Sequence, residues 1–194
     1  MKSFPIMAML SIALLAGATT TTEAGVDVDL GAAVALGDST DLYFAISSRY
    51  FEEDRENVAR WGMRYADPDD LAVALFISKH ADRTLGSVFE LRHRGWSWWR
   101  ISLEVGMRMN RWFVRVKGDP GPPFEEAYGN WKKHRKDPQS MALSDDEARN
   151  LIAVRMIHEY YDVPVDVAMD WRSSGRDLPT LMATEYERRH GQKR

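Results

Sequence analysis

The chain has 194 residues, of which 44% are hydrophobic and 28% charged, and its formal net charge at pH 7 is −3. This length is sufficient for one ordinary hydrophobic core. The sequence contains no cysteine, which excludes disulfide bonds, thiolate catalysis and a lipid-modified cysteine.

The first 18 residues have the pattern of a secretory signal peptide. Lys2 is the only charge before Glu23, and residues 4–15 form an apolar run. This run has the length of a signal-peptide core and is shorter than the roughly 20 apolar residues that a membrane-spanning helix needs. Small residues predict cleavage after position 18, or alternatively after position 24. We therefore expect a periplasmic or secreted protein with one mature domain, residues 19–194, and no transmembrane span in it.

Residues 26–50 predict a β-hairpin. Alternating apolar and acidic residues begin at Val26, and an aromatic and β-branched run begins at Asp41. Turn-forming residues at 37–40 separate the two stretches, as they do between paired strands. The predicted fold class is therefore α+β, mainly α, with this hairpin packed on a helical domain.

Beyond the hairpin, the sequence takes on a helical period. A helix starting near position 51 should place Val58, Trp61 and Met63 on one stripe. A second helix should begin at Pro68, because proline is favoured at the first helical position. Residues 71–81 are apolar nearly all round, which predicts a buried helix.

A weak internal repeat has an offset of 80 residues. Residues 71–103 align on residues 151–183 without a gap, with a shared order of helix, break, helix, glycine and short helix. Gly95 and Gly175 occupy the same place in the two copies, where a glycine readily ends a helix. We therefore predict two three-helix units that pack in one domain: residues 51–107 and residues 144–190.

The connector between the units, residues 108–143, is basic. Residues 92–136 contain 11 basic and four acidic side chains, whereas residues 19–91 contain six and 14. Residues 112–116 could form a short strand or the start of another helix, and the order of their side chains favours the strand, as a third partner for the hairpin. The prolines and glycines of 117–123 exclude regular structure.

Five of the seven tryptophans lie in the basic stretch. Exposed aromatic faces beside arginine suit an anionic envelope ligand, either a glycan or a lipid headgroup. Alternatively, most of these rings belong to the core, with Trp98, Ile101 and Val105 on one helix face, and the charged segments neutralise one another in the fold. Trp96 and Trp99 fall off that face and are the better candidates for exposure. The candidate ligand-binding residues are Trp96, Trp99, Arg100, Arg108, Arg111 and Trp112.

No motif in the sequence indicates catalysis. The five histidines lack the i, i+4 spacing of a helical zinc site. Clustered carboxylates lie at predicted helix N-termini, where negative charge is favourable, and Ser144 with Glu147 forms a capping box. We therefore predict no catalytic residue, no metal site and no cofactor.

Several stretches resemble a group of uncharacterised exported bacterial proteins. They are residues 67–78, 94–102, 119–123, 131–134 and 157–161. The resemblance implies a periplasmic or secreted setting, and it implies no activity.

The leading hypothesis is a non-catalytic binding or structural module of the cell envelope, whose partner is an anionic envelope ligand or another envelope protein. One alternative is a periplasmic hydrolase that uses aspartate or glutamate for acid–base catalysis. The other is a DNA-binding protein, because a short-helix trio with a glycine turn resembles a helix-turn-helix unit. The export signal argues against nucleic acid as a partner.

Overall fold

A computed structural model describes residues 39–65 and 67–191 of the chain. In these ranges the protein forms α-helices and two short 3₁₀-helices, Met109–Trp112 and Pro138–Ser140, and no strand. The predicted signal peptide and the first half of the predicted hairpin lie outside the described residues. The α-helices are α1 (Ser39–Phe51), α2 (Arg55–Arg64), α3 (Pro68–Ala81), α4 (Leu85–His93), α5 (Trp98–Glu104), α6 (Glu125–His134), α7 (Asp145–Tyr161), α8 (Val165–Ser173) and α9 (Leu178–His190).

The predicted β-hairpin is wrong, because residues 41–50 belong to α1. Residues 42–47 are all buried, since α1 contacts α2, α3 and α9. A helix that is buried on nearly every side shows no 3.6-residue stripe, so its aromatic and β-branched residues looked like a strand. The Tyr43 hydroxyl donates to the Pro68 carbonyl at 2.6 Å and ties α1 to the start of α3. The fold class of the described residues is therefore all-α.

The short strand predicted at 112–116 is also wrong. Trp112 ends a 3₁₀-helix, and the residues after it run in an irregular connection toward α6. The Tyr128 hydroxyl of α6 donates to the Val114 carbonyl at 3.0 Å, so this connection is held by a side chain and not by a neighbouring strand.

The sequence predicts the start of α3 correctly and the apolar stripe of α2 in part. Asp67 caps α3, with Pro68 as the first helical residue, as predicted. Residues 71–78 of α3 are buried, which confirms the predicted buried helix. On α2, Val58 is fully buried, but the side chain of Met63 is 78% exposed, so its predicted place on the apolar stripe is wrong.

The two copies of the repeat fold alike. The helices α3, α4 and α5 correspond to α7, α8 and α9, and α4 and α5 start 80 residues before their counterparts. The first helix of each copy ends at an aspartate with left-handed backbone, Asp82 (φ 53°) and Asp162 (φ 49°). Gly95 and Gly175 both have φ 79°, a conformation that glycine adopts without steric cost.

A carboxylate of the second copy holds the third helix of the first. Asp145, at the start of α7, accepts a hydrogen bond from the backbone N–H of Trp98 at 2.9 Å. It also forms an ion pair with Arg92 of α4 at 2.5 Å. Because Trp98 is the first residue of α5, Asp145 satisfies a backbone donor at that N-terminus.

The reciprocal contact runs from the first copy to the second. Asp69, in the first turn of α3, forms an ion pair with Arg172 of α8. It accepts a hydrogen bond from the backbone N–H of Leu178, the first residue of α9, at 3.3 Å. Both sets of contacts connect the two units, whose first helices, α3 and α7, pack against each other. We call them the inter-unit clamp: Asp69 with Arg172, and Asp145 with Arg92.

Candidate functional site

Two of the candidate ligand-binding tryptophans belong to the core. Trp99 is 4% exposed and Trp112 is fully buried. Their ring centroids lie 6.4 Å apart, and Trp112 also packs on Phe76 of α3. The expected exposure of Trp99 is therefore wrong, and neither ring offers a face to a ligand.

The remaining candidate ring, Trp96, is half-buried and already has a partner. The guanidinium of Arg100 lies 3.9 Å from its ring centroid, which is the geometry of a cation–π contact. Trp98 is fully buried, as predicted, and its indole N–H donates to Asp70 at 2.8 Å. Trp96 can therefore contribute only part of one aromatic face to a ligand.

The arginines that are mostly buried form ion pairs. Arg92 pairs with Asp70 and Asp145, and Arg149 pairs with three aspartates near the start of α3 and α7. Arg155 pairs with Glu159. Their roles are structural. Arg92 joins α4 to the starts of α3 and α7, Arg149 joins α7 to the start of α3, and Arg155 pairs within α7.

The exposed basic residues of the stretch 92–136 behave differently. Within that stretch only Arg92 and Lys132 pair with a carboxylate of the described chain. The expected mutual neutralisation of the charged segments therefore holds only in part. We call the remainder the unpaired cations of 92–136, since none has a carboxylate within 4.0 Å among the described residues: Arg94, Arg100, Arg108, Arg111, Arg115, Lys117, Lys133, Arg135 and Lys136.

Packing places the segments of three of these cations together. The buried contact between Trp99 and Trp112 holds α5 against the 3₁₀-helix Met109–Trp112. Arg100 follows Trp99 in sequence, Arg111 precedes Trp112, and Arg108 precedes the 3₁₀-helix. The structure therefore brings Arg100, Arg108 and Arg111, the charged half of the predicted site, onto adjoining segments.

Arg111 has basic neighbours. Arg155 of α7 donates to the Arg111 carbonyl at 2.7 Å, and the charges of both arginines act on His80 at the end of α3. Burial of the imidazole, followed by the charges of Arg111, Arg155 and Lys79, lowers the pKa of His80 to about 4. His80 is therefore uncharged at pH 7, and Glu159 is the one carboxylate that offsets these cations in its titration.

Sequence reasoning missed His80 and Arg155 as neighbours of the predicted site. They lie on α3 and α7, and no motif links them to Arg111. The internal repeat predicts that the long helices of the two copies pack together. It does not predict which of their side chains come into contact.

A groove of about 590 Å³ lies between the connector and α8. Its apolar lining includes Phe124 and Met169, both nearly fully buried. At one place the two walls come close, because the Ser173 hydroxyl, which donates to the Met169 carbonyl at 2.9 Å, lies 3.2 Å from the Pro122 carbonyl. Four charged side chains besides Asp119 line the groove: Arg115, Lys117, Asp166 and Asp170.

The buried carboxylates do not form a catalytic pair. Asp69 belongs to the inter-unit clamp, and burial raises its pKa. Glu185, 2% exposed, accepts hydrogen bonds from Arg188 and Arg189, and the bond from Arg188 is the main cause of its lowered pKa. In the ranges 39–65 and 67–191, no three His, Asp or Glu side chains are arranged to hold a metal ion. This geometry gives no support to the hydrolase alternative.

The helix-turn-helix alternative is opposed by the orientation of the third helices. In such motifs the N-terminal residues of the second helix meet the base edges. Trp98 and Leu178, the first residues of α5 and α9, are both fully buried. Their backbone N–H groups donate to Asp145 and Asp69, so these groups are already occupied and do not point to a phosphate backbone.

No family model, curated protein or solved structure matches the chain. The resemblance to exported bacterial proteins stays a prediction. Among the residues that the structure describes, no helix combines the length and the apolar character that crossing a membrane requires.

Proposed function

We propose that the protein is a non-catalytic binding module that holds an anionic envelope ligand on Arg100, Arg108 and Arg111. The observation that carries this proposal is the division of the basic residues. Mostly buried arginines are paired with carboxylates, whereas the exposed ones of the stretch 92–136 are left unpaired. Unpaired cations on adjoining segments raise the local concentration of anions and steer them to the surface.

The chemistry of the site favours charge recognition over ring stacking. Arginine presents several N–H donors that match the oxygens of carboxylate, sulfate or phosphate groups. Trp99 and Trp112 are buried, so stacking can involve only the partly covered ring of Trp96. Binding should therefore weaken steeply as the salt concentration rises, because exposed charge pairs are screened.

The test compares two triple variants that lose the same charge. The first is Arg100→Gln, Arg108→Gln and Arg111→Gln. The matched control is Arg60→Gln, Arg64→Gln and Arg83→Gln, which replaces exposed arginines that also lack a carboxylate partner among the described residues. The probes are vesicles containing phosphatidylglycerol and the soluble anionic polysaccharide alginate, measured by co-sedimentation and calorimetry at low and high salt.

We expect the first variant to bind about tenfold more weakly or worse, since each exposed pair contributes up to about 1 kcal/mol and 1.4 kcal/mol is tenfold. The control variant should bind like the wild type. A preference for vesicles or for alginate identifies the source of the anionic group. If the wild type binds neither probe, or both variants lose affinity equally, the proposed surface is wrong.

A further inference from the structure

The groove between the connector and α8 has walls of opposite charge. Arg115 and Lys117 come from the irregular connector, whereas Asp166 and Asp170 come from α8, where an i, i+4 spacing puts them on one face. All four side chains belong to exposed residues. The groove therefore presents cations on one side and carboxylates on the other.

These opposite charges do not neutralise each other. Within the described chain, neither cation has a carboxylate within 4.0 Å, and neither Asp166 nor Asp170 has a basic partner. Asp119, which also lines the groove, is paired with Lys132. The groove thus presents two cations and two anions that are not paired with one another in the described chain.

The floor and the rims suit a small ligand. Met169 and Phe124 form buried parts of the floor, and a volume of about 590 Å³ falls within the range of small-ligand sites. Pro120 and Pro122 stiffen the connector wall, since proline fixes its backbone angle. A stiff wall reduces the entropy lost on binding.

We propose that this groove binds a short peptide with an apolar body and free termini. The peptide's ammonium group would lie against Asp166 and Asp170, and its carboxylate against Arg115 and Lys117. A purely anionic ligand would be repelled by the two aspartates. A purely apolar ligand would form no ion pair with any of the four charged side chains. The zwitterionic peptide is the occupant whose charges complement both walls. This site is separate from Arg100, Arg108 and Arg111 and does not depend on the function proposed for them.

The experiment follows the methyl signal of Met169 by NMR, because this side chain lies in the floor and its signal can be assigned from a Met169→Leu variant. The probe is the tripeptide Ala-Leu-Ala with free termini. It is compared with its N-acetylated form, its C-amidated form and the doubly blocked form, which share the same apolar body. We expect saturable binding of the free peptide and an affinity about five- to tenfold lower for each blocked end.

Two double variants test which wall of the groove binds which end of the peptide. Asp166→Asn with Asp170→Asn should remove the preference for a free amine and keep the preference for a free carboxylate. Arg115→Gln with Lys117→Gln should do the reverse. The matched control for the acidic wall is Asp162→Asn with Glu187→Gln, and for the basic wall Lys133→Gln with Arg135→Gln. All four replaced residues are exposed and lie outside the groove lining, so both preferences should remain.

Three results would overturn the proposal. The Met169 signal could fail to respond to the free peptide, or all four peptide forms could bind alike. The signal could also shift with protein concentration alone, together with a dimer in sedimentation, which would make a second copy of the chain the occupant. None of these results depends on whether vesicles or alginate bind the arginine surface.

Discussion

His80 is a residue whose surroundings set its charge. Burial and the cations Arg111, Arg155 and Lys79 lower its pKa to about 4 in the folded protein, whereas an unfolded chain has a histidine pKa near 6.5. The unfolded state therefore takes up the proton first as the pH falls. The stability that His80 contributes is complete above about pH 6.5 and is lost as the pH falls toward 4.

The expected loss is about 1–2 kcal/mol in the free energy of unfolding, because the half-exposed ring is partly screened by solvent. Urea unfolding at pH 7 and pH 4.5 measures it. The variant His80→Gln, which cannot gain a proton, should lose less stability over this interval than the wild type. His134→Gln on α6 is the control and should behave like the wild type. Equal losses in His80→Gln and the wild type would contradict this electrostatic account.

The burial of a tryptophan can be predicted from the sequence where it follows from helical spacing. Trp98 and Ile101 share one face of α5 at i, i+3 spacing, and both are fully buried as predicted. Trp99 lies off that face and is buried because the 3₁₀-helix brings Trp112 against it. A contact between segments more than ten residues apart leaves no periodic signal, so the sequence predicted the first burial and missed the second.

At the scale of the element, α1 and α2 cross closely at a glycine. A Cβ atom at Gly62 of α2 would clash with the ring of Phe44 on α1. The Phe44 ring is buried, so it has no room to withdraw. We predict that Gly62→Ala destabilises the protein by about 1–3 kcal/mol, the usual cost of overpacking a core, despite the better helix propensity of alanine.

A second helical glycine supplies the control. Gly129 of α6 has no atom within 4 Å of an added Cβ, so Gly129→Ala should gain up to about 1 kcal/mol from helix propensity alone. Thermal or urea unfolding of the two variants compares the same chemical change in two settings. A stabilising effect of Gly62→Ala would show that α1 and α2 do not pack as closely as described.

The helices that the sequence predicted are those with local signals. Ser144 and Glu147 form the predicted capping box at the start of α7, and Asp67 caps α3, because a cap acts within four residues. Residues 38–41, at the start of α1, are Asp-Ser-Thr-Asp, residue types that favour turns as much as helix caps, and the burial of α1 on nearly every side removed the amphipathic pattern. A helix with an ambiguous start and no exposed face is therefore identified only when its tertiary neighbours are known.

At the scale of the whole molecule, the repeat offset predicted corresponding helices but not how the copies hold each other. Asp69 would align with Arg149, and Asp145 with Tyr65, so the two clamp carboxylates do not occupy equivalent positions. Arg92 and Arg172 are equivalent, and each also donates to the backbone carbonyl four residues later. The arginines were visible in the alignment, whereas their partners on the other unit were not.

We expect the inter-unit clamp to contribute to the free energy of unfolding. Arg172 and Asp69 have side chains only 12% and 10% exposed. Removing Arg172 alone, as in Arg172→Met, leaves a buried carboxylate without its cation and should cost about 3 kcal/mol. Asp69→Asn keeps an oxygen that can accept from the Leu178 N–H. The double variant should therefore cost clearly less than the sum of the single variants, with a coupling of about 1 kcal/mol or more.

The exposed pair Lys132 and Asp119 provides the comparison for this double-mutant cycle. Its side chains are 60% and 80% exposed, so Lys132→Met and Asp119→Asn should couple by less than about 0.5 kcal/mol. Urea unfolding of each set of four proteins gives both coupling energies. Equal coupling in the two cycles would mean that Asp69 and Arg172 meet at the surface of the molecule. A larger coupling in the clamp would show that the buried pair links α3 and α8 energetically, as its low exposure predicts.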